Sequence, residues 1–343
     1  MPYFSDPALY GHELDKPKTD KNIIYTQCIQ DLVDCEGNMK WSDTNTGGIE
    51  RMNRDFALGM ISRLALFRAG YGMTKEGTMK KADDYLTTSS DSLTVTYTDI
   101  NGTKQTASTS ADYYKLAKNY CQKLIQLKPR PLRSDFAQIF KDECQYKVTN
   151  NDEVLYEVAY VESFGGDVGW CIGVPNTNAL TKGNTTAQVF LSPTYYMSFD
   201  DNDTRRDATC ARYSHDADTL KACGNSTNIA PAKWDRFLST HDLGAASSKG
   251  TGINWPLMRY SDVLLMLAEA ENALNGPTDI AKNALKTVRA RAFAASPNYS
   301  KDVTEYVDSV GENKDKFFNA IVDERAWEFG GECIRKWDLS RWN

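Results

Sequence analysis

The stretch RYSDVLLMLAEAENAL, residues 259–274, decides the fold class. Val263, Leu264, Leu267, Ala270, Glu271 and Leu274 recur at three- and four-residue spacing, which draws an apolar stripe along one side of a helix. Gly276 and Pro277 then stop it, a residue tolerant of left-handed dihedrals followed by one without an N–H. Such a stripe is the packed face of a helix inside a helical domain.

Working outward, the same periodicity predicts further helices. Residues 22–39 carry Ile23, Ile24, Cys28, Leu32 and Cys35 on one side, and 54–70 carry Leu58, Ile61, Leu64, Ala65 and Arg68. A third helix covers 110–127 and ends at the Pro129/Pro131 pair, which cannot continue it. Residues 279–294 and 315–342 complete a helical C-terminal part. Helices of this length packed as successive pairs give a mainly α, tetratricopeptide-like repeat scaffold, although insertions hide the strict 34-residue period.

Two short β signals interrupt it. Residues 93–98 alternate apolar with polar, Asn101-Gly102 follows, and 104–106 return, so a small hairpin is expected as a surface decoration in an insertion spanning 92–107. EVLYEVAY, 153–160, reads as a strand. Between 162 and 255 the chain turns to glycine, asparagine, threonine and serine with scattered aromatics, a long irregular segment whose rings argue for function rather than disorder. The expectation is one domain over 1–343: a helical-repeat part (1–150), a loop-rich ligand-binding part (151–256) and C-terminal helices (257–343).

Composition narrows the function. The 343 residues are 41% hydrophobic and 25% charged with a net charge of -6, and neither Lys nor Arg forms a run, which argues against nucleic acid as a partner. The stretch MPYFSDPALY lacks a basic region followed by an apolar one. Eight cysteines form no Cys-x-x-Cys pair and three histidines are present, so zinc spacing is absent. Cys28, Cys121 and Cys333 fall in helical patterns, where a free thiol behaves as a small buried apolar group.

Three helical motifs carry a family likeness. They are Arg-Tyr-x-Asp-Val-Leu-Leu with Ala-Glu-Ala in 259–270, VRARA in 288–292, and IVDERAWEFGGECIRKWDLSRW in 321–342. Arg259, Tyr260, Asp262, Glu269, Arg289, Arg291, Glu324, Arg325, Glu328, Glu332, Arg335, Asp338, Leu339 and Arg341 hold the spacings. Together they resemble the C-terminal signature of the SusD/RagB family, glycan-binding lipoproteins of the Bacteroidetes outer membrane. The chain departs from that pattern at Phe293, Ala326, Gly331 and Cys333, positions that bear on helix packing. The resemblance implies a SusD-like fold and a non-catalytic protein that captures an oligosaccharide or other nutrient and delivers it to a SusC-like TonB-dependent transporter. It also implies a surface-exposed outer-membrane lipoprotein, whose lipid anchor and further helical segments lie outside this sequence. No cofactor is implied. In that compartment Cys210 and Cys223, which flank a polar loop, would be free to form a disulfide. The alternative is a tetratricopeptide-like scaffold that binds a peptide or protein.

Glu324, Glu328, Glu332, Arg335 and Asp338 repeat by three or four, so they share a helix face. A di-metal site would want Glu-x-x-His on neighbouring helices, and no histidine follows His241. The expected role is a structural charge network with Arg259, Arg289 and Arg291, in which losing one partner costs folding before it costs binding. Asp200, Asp201, Asn202, Asp203 and Asp207 lack the glycine of a calcium loop and read as turn and cap residues. His215 and His241 sit in loops with no triad signature, and no catalytic or metal residue is expected. The ligand site is expected on the loops of 162–255 as an aromatic platform. Trp170 comes first, because glycines surround it, then Tyr195, Tyr196 and Trp234, with Arg205, Asn176, Asn178, Asn184 and Asp201 as hydrogen-bonders and Trp255 as core.

Overall fold

The structure is a computed structural model that describes residues 18–86, 93–147, 153–164, 166–223, 228–247 and 249–343. The N-terminal stretch MPYFSDPALY and Gly165 lie outside the described residues. The helices are α1 (Lys21–Cys35), α2 (Arg54–Ala69), α3 (Ser110–Leu127), α4 (Phe136–Cys144), α5 (Pro193–Met197), α6 (Arg205–Thr209), α7 (Tyr260–Asn275), α8 (Asp279–Ala292), α9 (Tyr306–Val310), α10 (Lys314–Phe329) and α11 (Arg335–Trp342). Side chains start them where the sequence supplies an acceptor. Asn53 takes the N–H of Phe56, Thr109 and Asp112 form a reciprocal box, and Asp135 takes the N–H groups of Ala137 and Gln138. Each such cap contributes about 1 kcal/mol.

The helices pack as the repeat reading requires: α1 on α2, α2 on α3, α3 on α7, and α7 on α8 and α10. The opening stretch thus becomes α7, the axis of the scaffold, buried continuously from Tyr260 to Asn272. That explains why it carries more apolar residues than one stripe needs: a helix enclosed on every side must be apolar on every side. The main core unites Ile61, Leu116, Leu265, Leu285 and Ile321 from five of these helices.

Four expectations need correction. The 93–107 hairpin is not a surface decoration: strands Val95–Thr98 and Lys104–Ala107 put Val95, Tyr97 and Ala107 into the main core, because alternation gives the hairpin one apolar face. The inner face of α1 is Asn22, Thr26 and Ile29, while Ile23, Ile24, Cys28 and Leu32 are half-exposed. The helix expected over 315–342 breaks into α10 and α11, because Gly331 (φ 81°) and Cys333 (φ 60°) adopt left-handed backbone. Cys333 is accordingly exposed rather than core. Finally, α4 was not anticipated, its nine residues being too short for a clear period.

The expected strand exists as Val154–Val158, paired antiparallel with Trp255–Arg259. It carries the chain from the helical scaffold into a second apolar cluster of Phe136, Phe140, Val154, Ile172, Trp234 and Ile253, with Trp255 packed against it. The loop-rich part is pinned by short strands, among them Tyr213–Asp216, which lies between Thr219–Ala222 and Asn176–Thr177. Cys210 and Cys223 are both free thiols, Cys210 buried in the strand Cys210–Ala211.

Gly70, at the end of α2, is set by a close approach rather than by its backbone angles. A Cβ there would stand 2.6 Å from the carbonyl oxygen of Arg341 and 2.9 Å from its Cβ. Gly70→Ala should therefore push α11 off α2 and lower stability by about 1–3 kcal/mol in urea unfolding. An unchanged midpoint would mean that these two elements do not cross as closely as described.

Candidate functional site

The C-terminal charges form two closed sets of ion pairs. In the first, Arg259 emerges where its strand meets α7, and donates Nη1 to Glu153 Oε1 and Glu328 Oε1, both at 2.7 Å. Its Nε and Nη2 reach Glu332 at 2.9 and 2.8 Å. Arg291 bridges Glu153 and the same Oε1 of Glu328. Arg205 donates Nη1 to Glu324 Oε1 (2.7 Å) and Glu328 Oε2 (3.1 Å), and Nη2 to Asp203 (2.7 Å). Arg289 completes Glu324 at 3.2 Å, and Lys233 reaches Glu332 at 2.6 Å. Five cations (Arg205, Lys233, Arg259, Arg289, Arg291) thus meet five anions (Glu153, Asp203, Glu324, Glu328, Glu332). The second set balances Arg63, Arg325 and Arg341 against Asp262, Asp338 and Glu269.

Burial alone would raise the Glu328 carboxyl, but Arg291, Arg259 and Arg205 outweigh it and hold it well below the ordinary range. Glu332 is lowered in the same way by Arg259 and Lys233, and Asp262 by Arg325 and Arg63. Burial brings the Lys233 ammonium down to about 8 against the pull of Glu332.

This arrangement corrects several sequence assignments. Arg205 is fully buried within the first set and cannot reach a ligand. Asp338 belongs to the second set, and Arg335 donates to the carbonyl of Val322 (2.7 Å) instead of joining either. Trp234 is 0% exposed, stacked on Trp255 at 4.9 Å with its indole N–H on the Gly331 carbonyl, so it is core and not platform. Tyr195 donates its hydroxyl to the Ala326 carbonyl (2.8 Å) and meets Phe199 edge-on, while the guanidiniums of Arg206 and Arg212 lie over the ring of Tyr196. Both tyrosines belong to a cluster with Phe199, Ile229 and Trp327, separate from the surroundings of Trp170. Asn176 is buried on Gly183 and Asp218, Asn178 holds Asp216, Asn184 caps Ala179, and Asp201 pairs with Arg206. Asp200 and Asp203 accept the N–H groups of Asn202 and Arg205, the turn role the sequence suggested.

Asn178 and Asp201 stay exposed, and a further solvent-open face lies around Trp170. Ser163 and Gly166 run beside Gly250, Ser163 N donating to Gly250 O and Gly250 N to Gly166 O, each at 2.8 Å. Trp170 is half-buried, and Lys249 holds its ammonium 4.3 Å from the ring centroid, a cation–π contact. In the segment held by Gly250, Phe164 is 89% exposed and Val161 66%. On the other flank the exposed ring of His241 stacks on Tyr146, 4.3 Å apart and 10° from parallel, with Glu162 Oε2 2.6 Å from His241 Nδ1. The hydroxyl of Tyr146 donates to the Thr251 carbonyl (2.7 Å), which fixes the stack to the same segment. The face thus offers apolar rings bordered by an ammonium, a carboxylate and an imidazole. Phe164 had a signal in the glycines that follow it; the Tyr146–His241–Glu162 grouping had none, since its members are remote in sequence.

The SusD family model matches residues 87–343. A SusD-like protein of Formosa agariphila is 26% identical over 253 residues, 65% of this chain and 45% of that protein. A SusD homolog from Bacteroides thetaiotaomicron has a TM-score of 0.74 at 21% identity, over 94% of this chain and 60% of its own. The surface glycan-binding protein A of that organism, in complex with laminarihexaose, has a TM-score of 0.59 at 16% identity, over 93% and 60%. The chain therefore spans less than half the curated relative and about three fifths of these structures, and likeness at such identities is a likeness of fold.

Glu328→Gln removes the anion shared by three buried arginines and should cost about 3–5 kcal/mol in denaturant unfolding. Acid should act on the same groups. The lowered carboxyls release protons more readily folded than unfolded, so the unfolded chain protonates first, near the ordinary glutamate value of 4.5. Stability should be full above that value and fall as pH drops through the depressed folded values. A flat stability profile down to pH 3 would contradict the network.

Proposed function

The chain belongs to the SusD family, and from that premise we propose that it binds an oligosaccharide on the Trp170 face without catalysis. The observation that carries the reading is the set of rings and charged groups on these adjoining loops: an exposed Phe164, a half-buried Trp170 under Lys249, and Glu162 paired with His241. Sugars present flat C–H patches ringed by hydroxyls, and an apolar ring edged by charged hydrogen-bonders meets both. The binding of laminarihexaose by a protein of the same fold supports the ligand class.

The paired carboxylates of α10 are a poor fit to catalysis. Glycoside hydrolysis needs two across the scissile bond. Glu324 and Glu328, which the helix spacing brings together, are enclosed by arginines and reach no sugar. As the family resemblance implies, the complete protein would be a surface lipoprotein of the outer membrane that passes its ligand to a SusC-like TonB-dependent transporter. A tetratricopeptide-like scaffold for a protein partner is the competing reading, and affinity purification from the native envelope separates the two. The first should retain a large barrel transporter and the second soluble partners.

Trp170→Ala should weaken binding to a soluble oligosaccharide panel that includes laminarihexaose by tenfold or more in calorimetry. Stability should fall by only about 1 kcal/mol, the typical cost of a point substitution, since the ring is half-buried. A variant that binds as before, or that unfolds at markedly lower urea, would make Trp170 a packing residue and defeat this assignment.

A further inference from the structure

Away from the loop face, a cleft of about 280 Å³ opens between the end of α1, the hairpin Val95–Thr98/Lys104–Ala107 and α3. Its walls are fixed: the side-chain amide of Gln30 on α1 takes the N–H of Thr96 at 2.8 Å and donates to its carbonyl at 3.2 Å, closing that strand edge. Tyr97 and Tyr120 line the cleft with only 6% and 1% of their surfaces exposed. Neither phenol hydroxyl has a hydrogen-bond partner among the described residues, yet neither is sealed from solvent. Buried side chains of this kind ordinarily find a partner.

Besides Thr96 and Thr98, the walls carry two cations and two anions. Lys123 and Glu36 are paired, with Glu36 also held by Arg54 at 2.9 Å. Asp34 commits one oxygen to Gln30, and Lys104 faces no carboxylate within ion-pair range among the described residues. Equal charge of both signs gives no net field to draw an ion. An apolar ligand would leave two phenols unsatisfied. A ligand hydroxyl both donates and accepts, so it can meet a phenol, an ammonium or a carboxylate in turn. The volume lies at the foot of the range for ligand pockets, roughly 300–1,000 Å³, enough for one ring and not for a chain.

We propose that this cleft is a second ligand site, which takes a single polyhydroxylated ring of monosaccharide size through the hydroxyls of Tyr97 and Tyr120. The site stands on its own groups and does not rest on the loop-face reading. Protein labelled with 3-fluorotyrosine and titrated with glucose, galactose, mannose and fucose tests it, the ¹⁹F signals being assigned through Tyr97→Phe and Tyr120→Phe. At least one sugar should shift both signals saturably, each Phe variant should weaken that binding by about five- to tenfold, and Thr98→Trp, which fills the mouth, should abolish the shifts while the urea midpoint holds. The same titration of Trp170→Ala should be unchanged; lost shifts there would mean that the sugar sits on the loop face. No response to any of the four sugars, shifts that survive Thr98→Trp, or a response to glycine, glutamate or lysine alone would overturn the proposal.

Discussion

Glu328 receives three guanidiniums on two oxygens with no water-exposed surface, and the rest of the structure depends on that contact being complete. Moving a charge from water into a protein interior costs several kcal/mol even after relaxation, and is recovered only when partners and hydrogen bonds meet it in good geometry. The partners of Glu328 come from α6, from the strand before α7 and from α8, and Glu153 and Lys233 extend the set to two more stretches. None of these can settle until all of them have. The network acts less as a source of stability than as a register: a compact arrangement that misplaces one arm leaves a charge buried and unpaired.

That register explains how a segment with so little regular structure can present a defined face. The loops of 162–255 enter the charge network at Asp203, Arg205 and Lys233, and the adjacent Trp234 fills the apolar cluster beneath them. Backbone contact carries the constraint outward, for the carbonyl of Trp234 accepts from Val174 N at 2.9 Å, three residues after Cys171 and four after Trp170. The residues first read as ligand contacts, Arg205 and Trp234, are thus anchors beneath the loops that carry the proposed site. A ligand face built on loops needs such backing, because its rings must be held in place before the ligand arrives.

The helical frame was legible because it is written locally. The α2, α3, α7 and α8 periods, their caps and the stop at Gly276 involve residues within a few turns of one another. The charge spacing on α10 announced a network, yet most of its members lie elsewhere: Glu153 is 138 residues from Arg291, and Arg205 is 119 from Glu324. For the loop segment, composition distinguishes ordered from disordered but not inside from outside. An aromatic among glycines and asparagines is equally consistent with a buried Trp234, a half-buried Trp170 and an exposed Phe164. The turn between α10 and α11 was hidden for a related reason, since Cys333 takes left-handed backbone without being glycine.

Helix packing also bears on why the proposed ligand face lies on loops. A helix in a paired scaffold has at most one free side, and α7 has none, being covered by α2, α3, α8 and α10. Of the others, α10 exposes mainly Lys314, Asp315, Lys316 and Asp323, which suit solvent, while α11 exposes Trp337 and Leu339 but buries its carboxylate Asp338. Loops escape this limit because they are not bound to a 3.6-residue period, so neighbouring positions can point the same way. Val161, Glu162 and Phe164 illustrate it: within four residues the chain supplies two exposed apolar groups and a carboxylate that reaches His241.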